Sequence, residues 1–174
     1  MIRGTFTTLG CGICMGKHGR TFHFSFEGMD DYVAYLESVG NGATGMAKRS
    51  LYEGVAVVGE AIRQAIIDLP YHPTKGISHE QKQGLLDGLG YAVMKRKKGS
   101  WYLKIGFDGY NSVQTKKYPN GQPNAMIAAA INSGTSRRKR TNFIYKAVNK
   151  SKQESLAAMK RQFDDDIKNL NRKR

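Results

Sequence analysis

The residues best equipped for chemistry are few, and their spacing does not assemble a catalytic centre. Cys11 and Cys14 are the two cysteines of the chain and form one Cys-Gly-Ile-Cys run. A structural zinc site needs a second pair, or two histidines at a matching distance. His18, His23, His72 and His79 do not supply that spacing. A thioredoxin-type motif needs a strand before it and a helix after it, whereas this run lies in a glycine-rich N-terminal stretch. The expectation is two plain reduced thiols. The stretch from Cys11 through Gly16 and Lys17 faintly suggests a phosphate loop, but the first glycine is missing and His18 stands where Ser or Thr is required. Asp164, Asp165 and Asp166 are consecutive on an expected helix, so they diverge and cannot converge on one ion. They read instead as a solvated face beside Lys160, Arg161 and Lys168. No enzyme is expected, and no cofactor or metal.

The basic residues carry more information. The formal charge is +14. Residues 1–90 hold 8 Lys/Arg and 9 Asp/Glu, a net −1, and residues 91–174 hold 20 and 5, a net +15. The whole excess lies in the second half. Lys95, Arg96, Lys97 and Lys98 fall at an expected hairpin tip. Lys116 and Lys117 fall in the loop after it. Arg137, Arg138, Lys139 and Arg140 fall in a loop before the last helix. Cations on projecting turns reach phosphates without reading bases, and they suit acidic protein faces equally. The plainer reading is a solvated basic surface. Trp101, Tyr102, Tyr110 and Tyr118 lie near these charges, which resembles a stacking platform for single strands. Trp101 alternates with Leu103 and Ile105, however, and that period of two places it in a core.

These groups must be held by a body, and the hydrophobic pattern outlines one. The length, 174 residues, suits one domain with a core of its own. Residues 1–20 form a glycine-punctuated arm, either ordered by a neighbour or flexible. Phe22, Phe24 and Phe26 alternate with polar residues, predicting a half-buried strand over 21–27. A short helix is predicted over 31–39, with Val33, Leu36 and Val39 inward. Ala47, Leu51, Val55, Val58, Ile62, Ile66 and Leu69 recur at spacings of three and four, predicting a long helix over 44–69 that Pro70 ends. Residues 70–89 read as a long loop. Two strands, 91–96 and 100–107, follow around a turn at 97–99. After a second polar loop, a short helix is predicted over 125–132, capped by Asn124 and ended by Gly134. A second long helix spans 142–170, with Ile144, Ala147, Val148, Met159 and Phe163 on its inner stripe, and a basic tail closes the chain at 171–174. The predicted fold class is α+β: a small antiparallel sheet with two long helices and a short helix packed on one face. No run of about 18 apolar residues is present, so no membrane span or membrane partner is expected. The chain reads as a soluble protein made in a cytoplasm.

This order of elements resembles the small neck and tail-completion proteins of tailed phages, also found in tailocins. Phe26 to Asp31, leading into Tyr35, Leu36 and Val39, is similar to the family's strand, Gly-hydrophobic-Asp, helix opening. The helix from Ala47 to Ile67, followed by Pro70 and Pro73, is similar to its long helix and Pro-containing loop. The most specific likeness is Ala130 to Ser136, with its Gly134-Thr135 pair, followed by Arg140, Phe143 and the closing helix. The likeness covers residues 21–170. The family's Pro-x-Asp-Thr-Gly-x-Leu loop is replaced by the longer 70–89 segment, and its proline before Phe143 is absent. The resemblance implies a non-enzymatic virion protein, made in the host bacterial cytoplasm. It would form a homo-oligomeric ring, a hexamer by family analogy, that joins or terminates the tail. Its implied partners are its own copies, the tail tube, connector or head-closure proteins, and DNA passing through the lumen. A sequence-nonspecific nucleic-acid-binding module is the alternative that the basic loops leave open.

Overall fold

The computed structural model describes residues 8–16, 19–27, 43–71, 76–97 and 100–172. Strands β1 (Thr8–Gly16) and β2 (Gly19–Glu27) pair antiparallel in register from Thr8↔Glu27 to Gly16↔Gly19. Thr8–Gly16, within the stretch read as an arm, is thus the outer strand of the described sheet. The helix predicted over 31–39 lies outside the described residues. Helix α1 (Ala43–Ile67) follows, then α2 (His79–Gly88), β3 (Leu89–Tyr91), β4 (Lys95–Lys97), β5 (Ser100–Phe107), α3 (Asn124–Ser133) and α4 (Phe143–Arg172). The sheet runs β1-β2-β5-β3, all antiparallel, with β4 also on β5. The fold class is α+β.

Strand β5 is the hinge between sheet and helices. Leu103, Ile105 and Phe107 are buried on one side, as period two requires. Phe22 and Phe24 of β2 stand in register opposite Ile105 and Leu103. The buried side packs against Val55, Val58, Ile62 and Ile66 of α1, Ile127 and Ile131 of α3, and Ile144 and Val148 of α4. Each large side chain so buried stabilises by roughly 1.5–3 kcal/mol. Val58 and Ile62 are fully buried, and Phe163 nearly so, against Met46. Those contacts set α1 and α4 antiparallel: Met46 meets Phe163, Leu51 meets Met159, and the far end of α1 meets the start of α4. Gly54 lets the two backbones approach. The Ser155 hydroxyl donates to the Gly54 carbonyl at 2.8 Å, and a Cβ there would lie 2.4 Å from Met159 Cγ.

Three expectations are corrected. The 70–89 loop contains helix α2. Ser78 and Gln81 form a capping box: the Gln81 amide donates to Ser78 Oγ, and the Gln81 side chain accepts from Ser78 N. That satisfies two donors that a helix start leaves open. The single strand predicted over 91–96 is two short strands. Tyr91 pairs with Ile105 and Lys95 with Tyr102, so three residues, 92–94, oppose two, 103–104, and the extra one makes a bulge. Asn124 is not the cap of α3. Pro123 occupies that position without a side-chain bond, and Asn124, the first helical residue, is buried and donates from Nδ2 to the Asp108 carbonyl at 2.8 Å.

Candidate functional site

The described basic candidates separate into two groups at opposite ends of the α1–α4 pair. The hairpin tip is one. Arg96 pairs across β4 and β5 with Trp101, and its guanidinium lies 5.3 Å from the Trp101 ring centroid. Trp101 is half-buried and packs against Ala47, Leu51 and Met159, near the start of α1. Its periodic position in the core therefore holds, with a cation across its ring. Lys95 and Arg96 are exposed. Lys97 ends β4 opposite Ser100, and Lys98 lies outside the described residues.

The other two basic segments meet at the far end. Tyr110 bridges Pro123, and Thr115 bridges Tyr118. Both pairings share one antiparallel register, so residues 110–123 double back as an irregular arm. Lys116 and Lys117 occupy its tip, between Thr115 and Tyr118, whose amides and carbonyls bond reciprocally at 3.1 and 3.0 Å. The Arg137 to Arg140 segment uses a turn of the same kind. Thr135 and Arg138 bond reciprocally at 2.9 and 3.2 Å, and Thr135 Oγ1 accepts from the amides of Arg137 and Arg138. A threonine thus heads each turn and reinforces it with its hydroxyl, a local bond that Thr readily makes. Gly134, at φ +77°, starts the second turn. A Cβ there would lie 2.9 Å from the Arg140 amide nitrogen, so glycine is required. Backbone bonds from Thr141 to Ile131 and from Asn142 to Asn132 tie the exit of the turn back to α3.

Gln81 joins the second turn to Gln122, at the base of the 110–123 arm. Its Nε2 donates to Gln122 Oε1 at 2.7 Å, and its Oε1 accepts from Arg138 Nη2 at 3.2 Å. Arg138 is accordingly drawn inward, while Arg137, Lys139, Arg140, Lys116 and Lys117 are exposed. The start of α2 lies among these groups, and the Ser78 hydroxyl holds the Glu80 carboxyl below the usual carboxylate range. The distance between the groups follows from α1: Leu51 lies near the hairpin tip and Leu69 near the paired turns, about 27 Å apart at 1.5 Å per residue.

This far end also exposes large hydrophobic residues. Ile67, Tyr71, Tyr110 and Tyr145 are 46 to 66% exposed, and Tyr71 stacks on His79 at 4.2 Å. Two depressions open there. A groove of about 1030 Å³ runs between α1 and α4, with Glu60 and Asp68 on one wall and Lys146 and Lys150 on the other. A smaller cavity of about 310 Å³ lies beneath the Arg138 to Arg140 segment. No family model, curated protein or solved structure matches the chain.

The remaining chemical candidates do not assemble. Among the described residues no group of three or more His, Cys, Asp or Glu is placed to hold a metal. Cys11 and Cys14 occupy β1 three positions apart, an odd spacing that puts the two positions on opposite faces of the strand. The aspartate run is not uniformly solvated as the sequence suggested. Asp165 pairs with Lys168 at 3.1 Å, but Asp166 is buried and pairs with Arg49 at 3.0 Å. Among the described residues no helix is long and apolar enough to cross a membrane. Gln81 and the capping box were missed in sequence, although Ser78-His-Glu-Gln81 ahead of Leu85 and Leu86 is a recognisable helix-start signal.

Proposed function

We propose that this chain is a virion structural subunit. It builds a homo-oligomeric ring at the neck, where a phage tail is joined or terminated. The observation that carries the reading is the composition of the far end. Exposed tyrosines (Tyr71, Tyr110, Tyr145) stand beside exposed arginines (Arg137, Arg140) on turns locked to the body. Tyr and Arg are the residue types that dominate interface cores. Turns fixed before association lose little freedom on binding, which favours assembly. The Gly134 turn is also the segment whose sequence carries the strongest likeness to neck proteins, and it leads from α3 through the buried Phe143 into the closing helix. In a closed ring each subunit uses two different surfaces, head to tail. One of the two basic ends faces the lumen or an acidic partner.

The test is light scattering and negative-stain imaging of the full chain, alone and with the tail-tube protein of the same genome. Rings, alone or on the tube, are expected. A monomer that never joins the tube, yet holds duplex DNA with an affinity falling steeply as salt is added, would reject the ring in favour of nucleic-acid binding.

A further inference from the structure

We infer that the cavity beneath the Arg138 to Arg140 turn is a docking site for an acidic peptide segment of a partner protein. One aliphatic or aromatic side chain of that segment fills the cavity. The site is complete within one subunit, although Tyr71 and Arg140 line it and also belong to the far-end surface.

Its interior is apolar. Leu69, Ile77 and Ile131, all buried members of the main core, line it. Its rim is cationic, with Arg138, Lys139 and Arg140 on one side. At about 310 Å³ the space is at the small end of ligand pockets and has room for one large aliphatic or aromatic side chain. Arg138 adds a second signal. One guanidinium nitrogen is held by Gln81, while Nη1 is buried with no hydrogen-bond partner. The Gln81 bond fixes this guanidinium before any ligand arrives, and its charge adds to the rim's attraction for an anion.

The shape selects a chain segment over a small anion. Leu69, Pro70, Arg140 and Thr141 line both this cavity and the long α1–α4 groove, so the two adjoin. The groove is lined by both signs, Lys146 and Lys150 with Glu60, Asp68 and Glu154, so the acidic part of the segment belongs at the cavity rim. The charge argues for acid in the segment: the rim is three consecutive cations without a carboxylate lining the cavity. The walls are prepared in advance, because Thr135 and Thr141 hold the turn through backbone-directed bonds.

The experiment is fluorescence polarisation on the full chain. The probe is a labelled seven-residue peptide with a central leucine flanked by aspartates. A second peptide carries alanine in place of the leucine, and a third asparagines in place of the aspartates. Both changes are expected to weaken binding about tenfold or more, as loss of a buried leucine and of charge-assisted bonds requires. The double variant Lys139→Gln, Arg140→Gln should weaken the parent peptide similarly, and Lys95→Gln should leave it unchanged. Equal binding of the leucine and alanine peptides would overturn the proposal, since the cations alone would then explain the affinity. So would an equal loss on Lys95→Gln. Tighter binding of a short duplex DNA than of the peptide, with competition between them, would reassign the site to nucleic acid. A ring that forms normally while all three peptides fail to bind would sink this inference alone.

Discussion

Replacing Gln81 by alanine should loosen the basic end without disturbing the sheet. The side chain makes three bonds. It donates to Gln122 at 2.7 Å, and it accepts from Arg138 at 3.2 Å and from the Ser78 amide at 3.4 Å. The last is long and counts for little. The neutral bond to Gln122 is worth about 1 kcal/mol, and the charge-assisted bond from Arg138 about 1.5–3 kcal/mol. Gln122 and Arg138 are only half-buried, so water recovers part of the loss. The expected destabilisation is about 2 kcal/mol, which for a chain of this size lowers the melting temperature by roughly 4–8 °C. The Gln81 amide still donates to Ser78 Oγ, so α2 itself should persist.

The assay has two parts. Urea unfolding reads the stability. Amide exchange reads where it is lost, and faster exchange is expected in 134–142 and 110–123 with β5 unchanged. A Gln81→Glu variant sharpens the result. The carboxylate would pair with Arg138, and Gln122 can turn its amide to donate from Nε2. It should therefore restore protection around the Arg138 turn and, through the reversed bond, around Gln122. A loss below about 0.5 kcal/mol for Gln81→Ala, the level of an ordinary surface change, would refute the view that Gln81 ties the base of the 110–123 arm to the Arg138 turn.

Two further predictions concern the α1–α4 pair. Gly54→Ala and Gly45→Ala make the same change in one helix and should have opposite signs. A Cβ at 45 meets nothing nearer than 3.5 Å and gains helix propensity of up to about 1 kcal/mol, whereas at 54 it lies 2.4 Å from Met159 Cγ and overpacking costs about 1–3 kcal/mol; thermal melts showing both variants stabilised would contradict the close helix approach. Arg49→Gln should destabilise more than Asp166→Asn, because the first strands a carboxylate that is only 9% exposed while the second removes the charge and keeps the shape. With Arg49 itself 56% exposed the loss is about 1 kcal/mol after screening, and denaturant midpoints in the reverse order would count against the pairing.

What could be read from sequence followed hydrophobic period. The long helices emerged because their apolar residues recur at three and four over many turns, and Trp101, Leu103, Ile105 and Phe107 because they alternate. Helix α2 escaped for the opposite reason. Its buried positions are Gln81, Gly84 and Leu85, so two of the three carry no hydrophobic signal. Gly84 is buried because Asn111 and Asn124 pack against it: a Cβ there would lie 2.6 Å from Asn111 Cβ. The bulge at 92–94 was invisible because it is a mismatch between two strands, and neither strand shows it alone. The basic runs were found by composition, but their partition into two ends depends on which way β5 and α1 point.

That partition bears on the charge of the second half. A uniformly basic surface would attract any polyanion. Here Lys116, Lys117, Arg137, Lys139 and Arg140 sit on turns fixed by threonine hydroxyls and by Gln81, beside exposed tyrosines. Cations held on a rigid frame can demand a matching geometry, and cations on free chains cannot. At the hairpin tip Arg96 is instead engaged across Trp101 and stands over a separate apolar cluster. The two ends therefore differ in kind as well as in place.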